Sequence, residues 1–338
     1  MRKPTIQDVA DLANVSTATV SIVINNTRPV GKDIRRRVLD AIKELHYTPN
    51  RIARGLRMKS TKTIGIVIAD IGLPHFTTFV RACEDTAYKY GYNIILCNTD
   101  EDPVKETRYI NVLAQSQIDG IILSPTCKNP EQIEEVIASG IPIVLFDRCI
   151  RELNTNYVGY DNFGASYQAT MHLIDQGYHD ICMLYSLVWL TAVQDRIDGC
   201  LAALEKRGIP LSPQNMIEFP VLCSCDEFIE VLHDKLAGRP HPTGMIALES
   251  KFSAYTVNYM NTYDIKCPES VGLIGIGDFD LYIHARTFIS TVEIPTYKMG
   301  EQAVSMLIST ITDKSPCSQR VVFDTELAPR QSTNGYAP

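Results

Sequence analysis

Asn14-Val15-Ser16-Thr17-Ala18-Thr19-Val20-Ser21-Ile22-Val23-Ile24-Asn25 reads as a tight turn followed by a short helix. Asn14 tolerates the left-handed conformation that ends a preceding helix, and Ser16 can cap the next one. In that second helix Val20, Val23 and Ile24 share an inward face, which sends Thr17, Ala18, Ser21 and Ile22 outward. Upstream, Thr5 and Asp8 have the spacing of a capping box, and Ile6, Val9, Ala10 and Ala13 follow at helical period. Downstream, a third helix is expected from about Asp33, with Ile34, Val38, Ala41, Ile42 and Leu45 inward and Arg35, Arg36 and Arg37 outward. Three short helices with a small, outward-facing second one have the geometry that enters a DNA major groove. A generic helical bundle would share the periodicity, so charge has to decide.

Charge favours the groove. Residues 1–60 hold 12 Lys and Arg against 5 Asp and Glu, a net of +7, whereas the whole chain carries −7. The remaining residues hold 20 against 34, a net of −14. A basic head on an acidic body points to a polyanion, double-stranded DNA, bound by the head alone.

The body is large enough to fold on its own terms. With 338 residues and 45% apolar content, two or three domains with real cores are expected. No uninterrupted apolar run reaches the roughly eighteen residues of a membrane span, and the basic N-terminus lacks the apolar core of a signal peptide. Ten scattered cysteines read as reduced thiols of a cytoplasmic protein. Cys223 and Cys225 form the one close pair, and without clustered histidines they do not make a metal site. No phosphate loop, HExxH or nucleophile elbow is present, so neither catalysis nor a cofactor is expected. Gly272-Leu273-Ile274-Gly275-Ile276-Gly277 reverses the dinucleotide spacing and reads as a buried strand.

After Tyr47-Thr48-Pro49-Asn50, the basic stretch 51–58 is too short to be a stable isolated helix, and Ser60-Thr61-Lys62 reads as a linker. Alternation of strands and helices begins at Thr63. Apolar strand-length runs are expected at 63–69, 93–97, 120–124 and 141–146, with helices near 76–90, 104–116 and 130–139. A second set follows, with strands near 181–185, 216–219, 244–248 and 271–275 and helices near 163–176, 193–207, 226–237 and 251–263. A strand at 290–294, a helix at 297–312 and a strand at 320–324 close the chain. Continuous apolar strands between amphipathic helices imply α/β parallel sheets covered on both faces. Two such halves without a catalytic loop imply a hinged body that closes on a ligand.

These residues resemble the LacI/GalR (lactose-repressor-like) family of bacterial transcription regulators along nearly the whole chain. The matching motifs in the head are Thr5-Ile6-Gln7-Asp8-Val9-Ala10, Val15-Ser16 through Asn25, and Tyr47-Thr48-Pro49-Asn50 with Ala53 and Leu56. In the body they are Ile64-Gly65, Val112-Leu113 with Asp119-Gly120-Ile121-Ile122, Val158-Gly159 with Asp161-Asn162, and Pro268-Glu269-Ser270-Val271. The resemblance implies a helix-turn-helix domain at 1–49, a hinge helix and linker at 50–62, and a type I periplasmic-binding-protein-like body at 63–338. Within that body it implies an N-subdomain of about 63–161 and 292–324 and a C-subdomain of about 162–291 and 325–338. It further implies a homodimer, a pseudo-palindromic operator and a role as repressor.

The resemblance places Thr17, Ala18 and Ile22 at base-reading positions. Most relatives carry Arg where Ile22 stands; isoleucine offers apolar contact only, for example to a thymine methyl. Thr5, Ser16, Ser21, Asn25 and Arg28 match phosphate-contacting or positioning groups. Asn50, Ala53, Leu56 and Arg57 fall on the hinge, with Leu56 at the central minor-groove step. His75, Phe76, Asp147, Arg196, Glu249 and Asp278 match effector-facing positions. Glu249-Ser250, Gly277 and Ile294 depart from the usual effector-binding residues. The expected ligand is a small carbohydrate-type metabolite, with Arg196 favouring a sugar acid or phosphate. Arg196 could instead pair structurally with Asp195 or Asp198, and His75 could be an ordinary surface residue. Control by a partner protein such as a phosphocarrier is the alternative to control by a small molecule. A transport receptor would share the body but not the basic head.

Overall fold

The capping box forms. Thr5 accepts from the backbone N–H of Asp8, and the Asp8 carboxylate accepts from Thr5 N and Oγ1 at 2.7 Å. The helix it starts, α1 (Ile6–Ala13), ends at Asn14 with φ 51°. Ser16 then caps α2 (Thr17–Asn25) by accepting from Thr19 N at 3.1 Å, and α3 (Lys32–Glu44) completes the head. Val9, Ala10, Ala13, Val20, Val23, Val38 and Ala41 are its buried centre, with Ile24, Ile34, Ile42 and Leu45 partly buried around them. The computed structural model describes residues 4–26, 28–47, 60–186, 188–237, 243–277, 288–313 and 318–334. It divides into two units, Met1–Thr61 and Lys62–Pro338. The expected hinge helix at 50–58 lies outside the described residues.

Arg35 and Arg36 point outward as expected, and Arg37 is half-exposed. Arg35 donates to Asn26 Oδ1 at 2.8 Å and Arg37 to the carbonyl of Ala13 at 3.2 Å. Both reach the C-terminal ends of earlier helices, where unpaired carbonyls and the helix dipole attract a cation. Arg36 pairs with Asp33 on its own helix.

The body contains two six-stranded sheets. The first is built from β1 (Thr63–Ile68), β2 (Asn93–Asn98), β3 (Gly120–Leu123), β4 (Ile143–Phe146), β5 (Asn156–Tyr160) and β11 (Arg320–Phe323). Its order is β11-β5-β4-β3-β1-β2, and every pairing is parallel. The second uses β6 (Asp180–Tyr185), β7 (Met216–Glu218), β8 (Thr243–Ala247), β9 (Val271–Ile276), β10 (Ser290–Glu293) and β12 (Glu326–Ala328). Its order is β12-β10-β9-β8-β6-β7, with only β12 antiparallel. The central strands β3, β4, β8 and β9 are buried along their whole length, as sheets covered on both faces require.

Helices α4 (Pro74–Lys89), α5 (Pro103–Gln115), α6 (Pro130–Ala138) and α11 (Thr296–Asp313) accompany the first sheet. Helices α7 (Asn162–Asp175), α8 (Thr191–Lys206), α9 (Cys225–Leu236) and α10 (Ser250–Thr262) accompany the second. The chain passes between the sheets after β5, after β10 and after β11. The strand at 290–293 belongs wholly to the second sheet, so the second passage follows Glu293 rather than preceding Val292. Strands β5 and β12 were not expected. Asn156 opens β5 as a buried polar residue, satisfied by Thr310 at 3.0 Å and the N–H of Gln319 at 2.9 Å, and β12 spans three residues.

Candidate functional site

On the head, Ala18 is exposed and Thr17, Ser21 and Ile22 are half-exposed, away from the Val20–Val23 side of α2. Thr5 and Ser16 are exposed helix caps, so their hydroxyls sit at positive helix ends suited to phosphate. Asn25 is held within its helix, donating to Ser21 O at 2.8 Å, while its buried Oδ1 has no hydrogen-bond partner among the described residues. Arg28 is exposed. Asn50, Ala53, Leu56 and Arg57 lie outside the described residues.

In the body, a cavity of about 210 Å³ lies where the C-terminal ends of both sets of strands converge. Parallel α/β sheets place ligands there because loops leaving the strand ends diverge and leave a crevice. From the first sheet's side come His75, Phe76, Asp147 and Tyr160; from the second come Arg196, Glu249 and Lys251. Five of the six expected effector residues therefore share one cavity. Asp278 lies outside the described residues.

Asp147 follows β4 with a left-handed backbone, φ 66°. Burial works to raise its pKa. The hydrogen bond and charge of His75 together with the charges of Arg148 and Arg196 outweigh burial and bring it down to about 2. The His75 ring stacks on Phe146 with centroids 5.3 Å apart. Its Nε2 lies 3.5 Å from Asp147 Oδ1, and Nδ1 is 3.1 Å from Thr296 Oγ1. His75 is thus a wall of the cavity rather than a bland surface group.

Arg196 is 8% exposed. Its Nε donates to Asn162 Oδ1 at 2.7 Å, Nη1 to Leu248 O at 2.5 Å and Nη2 to Tyr160 Oη at 2.5 Å. The structural pairing with Asp195 or Asp198 does not form; Asp195 pairs with Arg151 at 3.2 Å instead. Every hydrogen-bond acceptor of Arg196 among the described residues is neutral, and two of its five N–H groups are left over. Glu249 commits Oε1 to the N–H and hydroxyl of Ser186 at 2.6 and 2.8 Å, with Lys251 3.7 Å from Oε2.

Several cavity residues escaped the sequence reading, Arg148, Glu101 and Tyr160 among them. Arg148 is buried and forked onto Glu101 at 2.5 and 2.7 Å, and Tyr160 receives Arg196. Their common signal is position, directly after the apolar runs of β2 and β4 or at the end of β5.

Residues 5–50 match the bacterial regulatory proteins of the lacI family, and residues 61–226 match the periplasmic binding proteins and sugar binding domain of that family. The ribose operon repressor of Halalkalibacterium halodurans is 33% identical over 98% of this chain and 97% of its own. The chain belongs to the LacI family. As a LacI-family protein it is a DNA-binding transcriptional regulator with a ligand-binding body, and not an enzyme. The repressor PurR of Haemophilus influenzae (strain PittEE) is 31% identical over 97% of this chain and 98% of its own. Among solved structures, a CelR–cellobiose complex matches with TM-score 0.71 and 26% identity over 97% of this chain and 99% of that one. The Lac repressor dimer on its operator shares the fold, with TM-score 0.80 at 18% identity over 98% of this chain and 99% of that one. Among the described residues no helix is long and apolar enough to cross a membrane.

Proposed function

We propose that this LacI-family chain is a homodimeric repressor that reads a pseudo-palindromic operator with α2 and is controlled by a small carbohydrate-type metabolite in the cavity. The observation that carries the ligand class is the pairing of opposite ionised groups across one small space. Asp147 offers a permanently ionised acceptor from one subdomain, and Arg196 offers charged donors from the other. A hydroxyl donates and accepts at once, so vicinal hydroxyls can satisfy both walls. The cavity is smaller than the ~300–1,000 Å³ of drug-sized sites, which fits a single-ring metabolite. The ribose operon repressor and the cellobiose complex among its relatives support a sugar.

Charge weighs against a phosphate dianion. The charge of Arg148 is already paired with Glu101, and Asp147 opposes Arg196. The two uncommitted N–H groups of Arg196 keep a sugar acid as the second reading. Titration calorimetry of the full chain with neutral sugars, sugar acids and sugar phosphates separates these classes. A neutral sugar should bind, and Asp147→Asn and Arg196→Ala should each abolish binding while leaving operator affinity in the default state intact. Binding of phosphorylated sugars alone would overturn the reading, as would a silent panel together with capture of a phosphocarrier protein.

A further inference from the structure

Beside the cavity wall formed by Leu190, Ala192 and Val193, side chains that none of the roles above uses join loops of the two subdomains. Lys128, in the loop after β3, holds its ammonium 4.3 Å from the ring centre of Trp189, in the loop after β6. Arg151, after β4, pairs with Asp195 on α8 at 3.2 Å. Between them the hydroxyl of Thr191 donates to the carbonyl of Cys149 at 3.2 Å. All three contacts run from the loops of the first sheet to one segment, 189–195, of the second subdomain. That same segment supplies Leu190, Ala192 and Val193 to the cavity wall, and Arg196 follows directly.

We propose that Lys128–Trp189 and Arg151–Asp195 form a latch beside this cavity wall, which opens to admit a ligand and whose strength sets the rates of ligand entry and exit. Each contact is exposed: Trp189 is 43% accessible, and the Arg151 and Asp195 side chains are 65% and 38% accessible. Exposed cation–π contacts and ion pairs are individually weak. They can therefore hold the latch shut on average and still break often. Their loss does not touch the buried core of either subdomain, so the latch can loosen without unfolding what it joins. The inference rests on the cavity being the effector site, but its test needs no effector.

Trp189 is the chain's single tryptophan, so its fluorescence reports on the latch alone. Acrylamide quenching and amide hydrogen exchange are measured on the full chain and on Lys128→Ala, Lys128→Arg, Asp195→Asn and Lys206→Ala. The decisive variant is Asp195→Asn, which leaves both Lys128 and the indole unchanged. It should raise both Trp189 quenching and exchange of amides 188–195 by about two- to fivefold, the shift that losing one weak exposed contact gives. Lys128→Ala should do the same, and Lys128→Arg, which keeps a cation over the ring, should restore wild-type behaviour. Lys206→Ala removes a comparable contact at Tyr167, where the ammonium lies 5.5 Å from the ring centre, and should change neither reading. Wild-type quenching and exchange in Asp195→Asn would overturn the latch. So would acceleration spread over the β-strands of both sheets, since that is general destabilisation. Either failure leaves the sugar titration unaffected, whereas a failed titration removes the latch's role in ligand exchange but not the contacts themselves.

Discussion

Ile22 sits half-exposed on α2, one turn beyond exposed Ala18 and outside the cluster that Val20 and Val23 enter. An apolar side chain there fits contact with a thymine methyl. Ile22→Arg adds a planar fork suited to guanine O6 and N7, so it should shift preference toward guanine at one position per half-site by about 1–3 kcal/mol. Site selection from a random DNA pool measures this, and an unchanged preferred site would show that the wrong face of α2 was assigned. At Asp147 the test is pH. Its folded pKa of about 2 lies below the ordinary 3.8, so its stabilisation is full above pH 3.8 and fades as pH falls toward 2. The shift corresponds to about 2 kcal/mol. Asp147→Asn keeps a residue that tolerates the left-handed backbone. It should cost about that much at pH 6 and almost nothing at pH 2, read by denaturant titration at both pH values. A cost independent of pH would assign the loss to packing. Some of this was legible in the residue order: His75, Asp147, Arg196 and Glu249 fall at strand ends or helix starts and do meet. Their partners were not. Nothing near Glu101 in the sequence announces Arg148, and nothing near Asp195 announces Arg151, because both pairings are made by the fold.

Among the elements, those with strong local chemistry were the easiest to read. Capping residues, helical apolar period and uninterrupted apolar runs located every helix of the head and most strands of the body. The Asn156-Tyr157-Val158-Gly159-Tyr160 strand lacks such a run, and its Asn156 is satisfied by Thr310 and Gln319 from the far end of the chain. Three-residue β12 offers no period at all. The partners of Arg35 and Arg37 were hidden for a related reason: they are helix ends that only the tertiary fold brings near. The capping box is the element whose loss is simplest to weigh. Thr5→Ala should destabilise the head by about 1 kcal/mol and lower its melting transition in calorimetry of the full chain. Thr5→Ser should restore it. If Ser does not, Thr5 acts through its methyl group rather than through the cap.

The whole molecule carries its two signs of charge in separate places, +7 over residues 1–60 and −14 over the rest. Each phosphate neutralised by the head adds about 0.9 to the slope of log affinity against log salt. Operator affinity should therefore fall steeply between about 50 and 200 mM salt, measured by fluorescence anisotropy on labelled DNA. A flat response would remove the head from the contact.

The threading of the body between its two sheets governs the order in which the chain can be completed. The three helices of the head follow one another in the chain and pack together, so a nascent chain can finish it early, as low-contact-order units do. The first sheet cannot close in the same way. Its edge strand pairs Arg320 with Tyr157, so β5 leaves the ribosome long before its neighbour exists, and its outer flank waits uncovered through synthesis of nearly the entire second subdomain. The second sheet waits for β12, later still. A ribosome stalled after β5 has emerged and before residue 320 thus holds a DNA-reading head, already formed, on a body with an open sheet edge, the kind of surface that other chains can pair with.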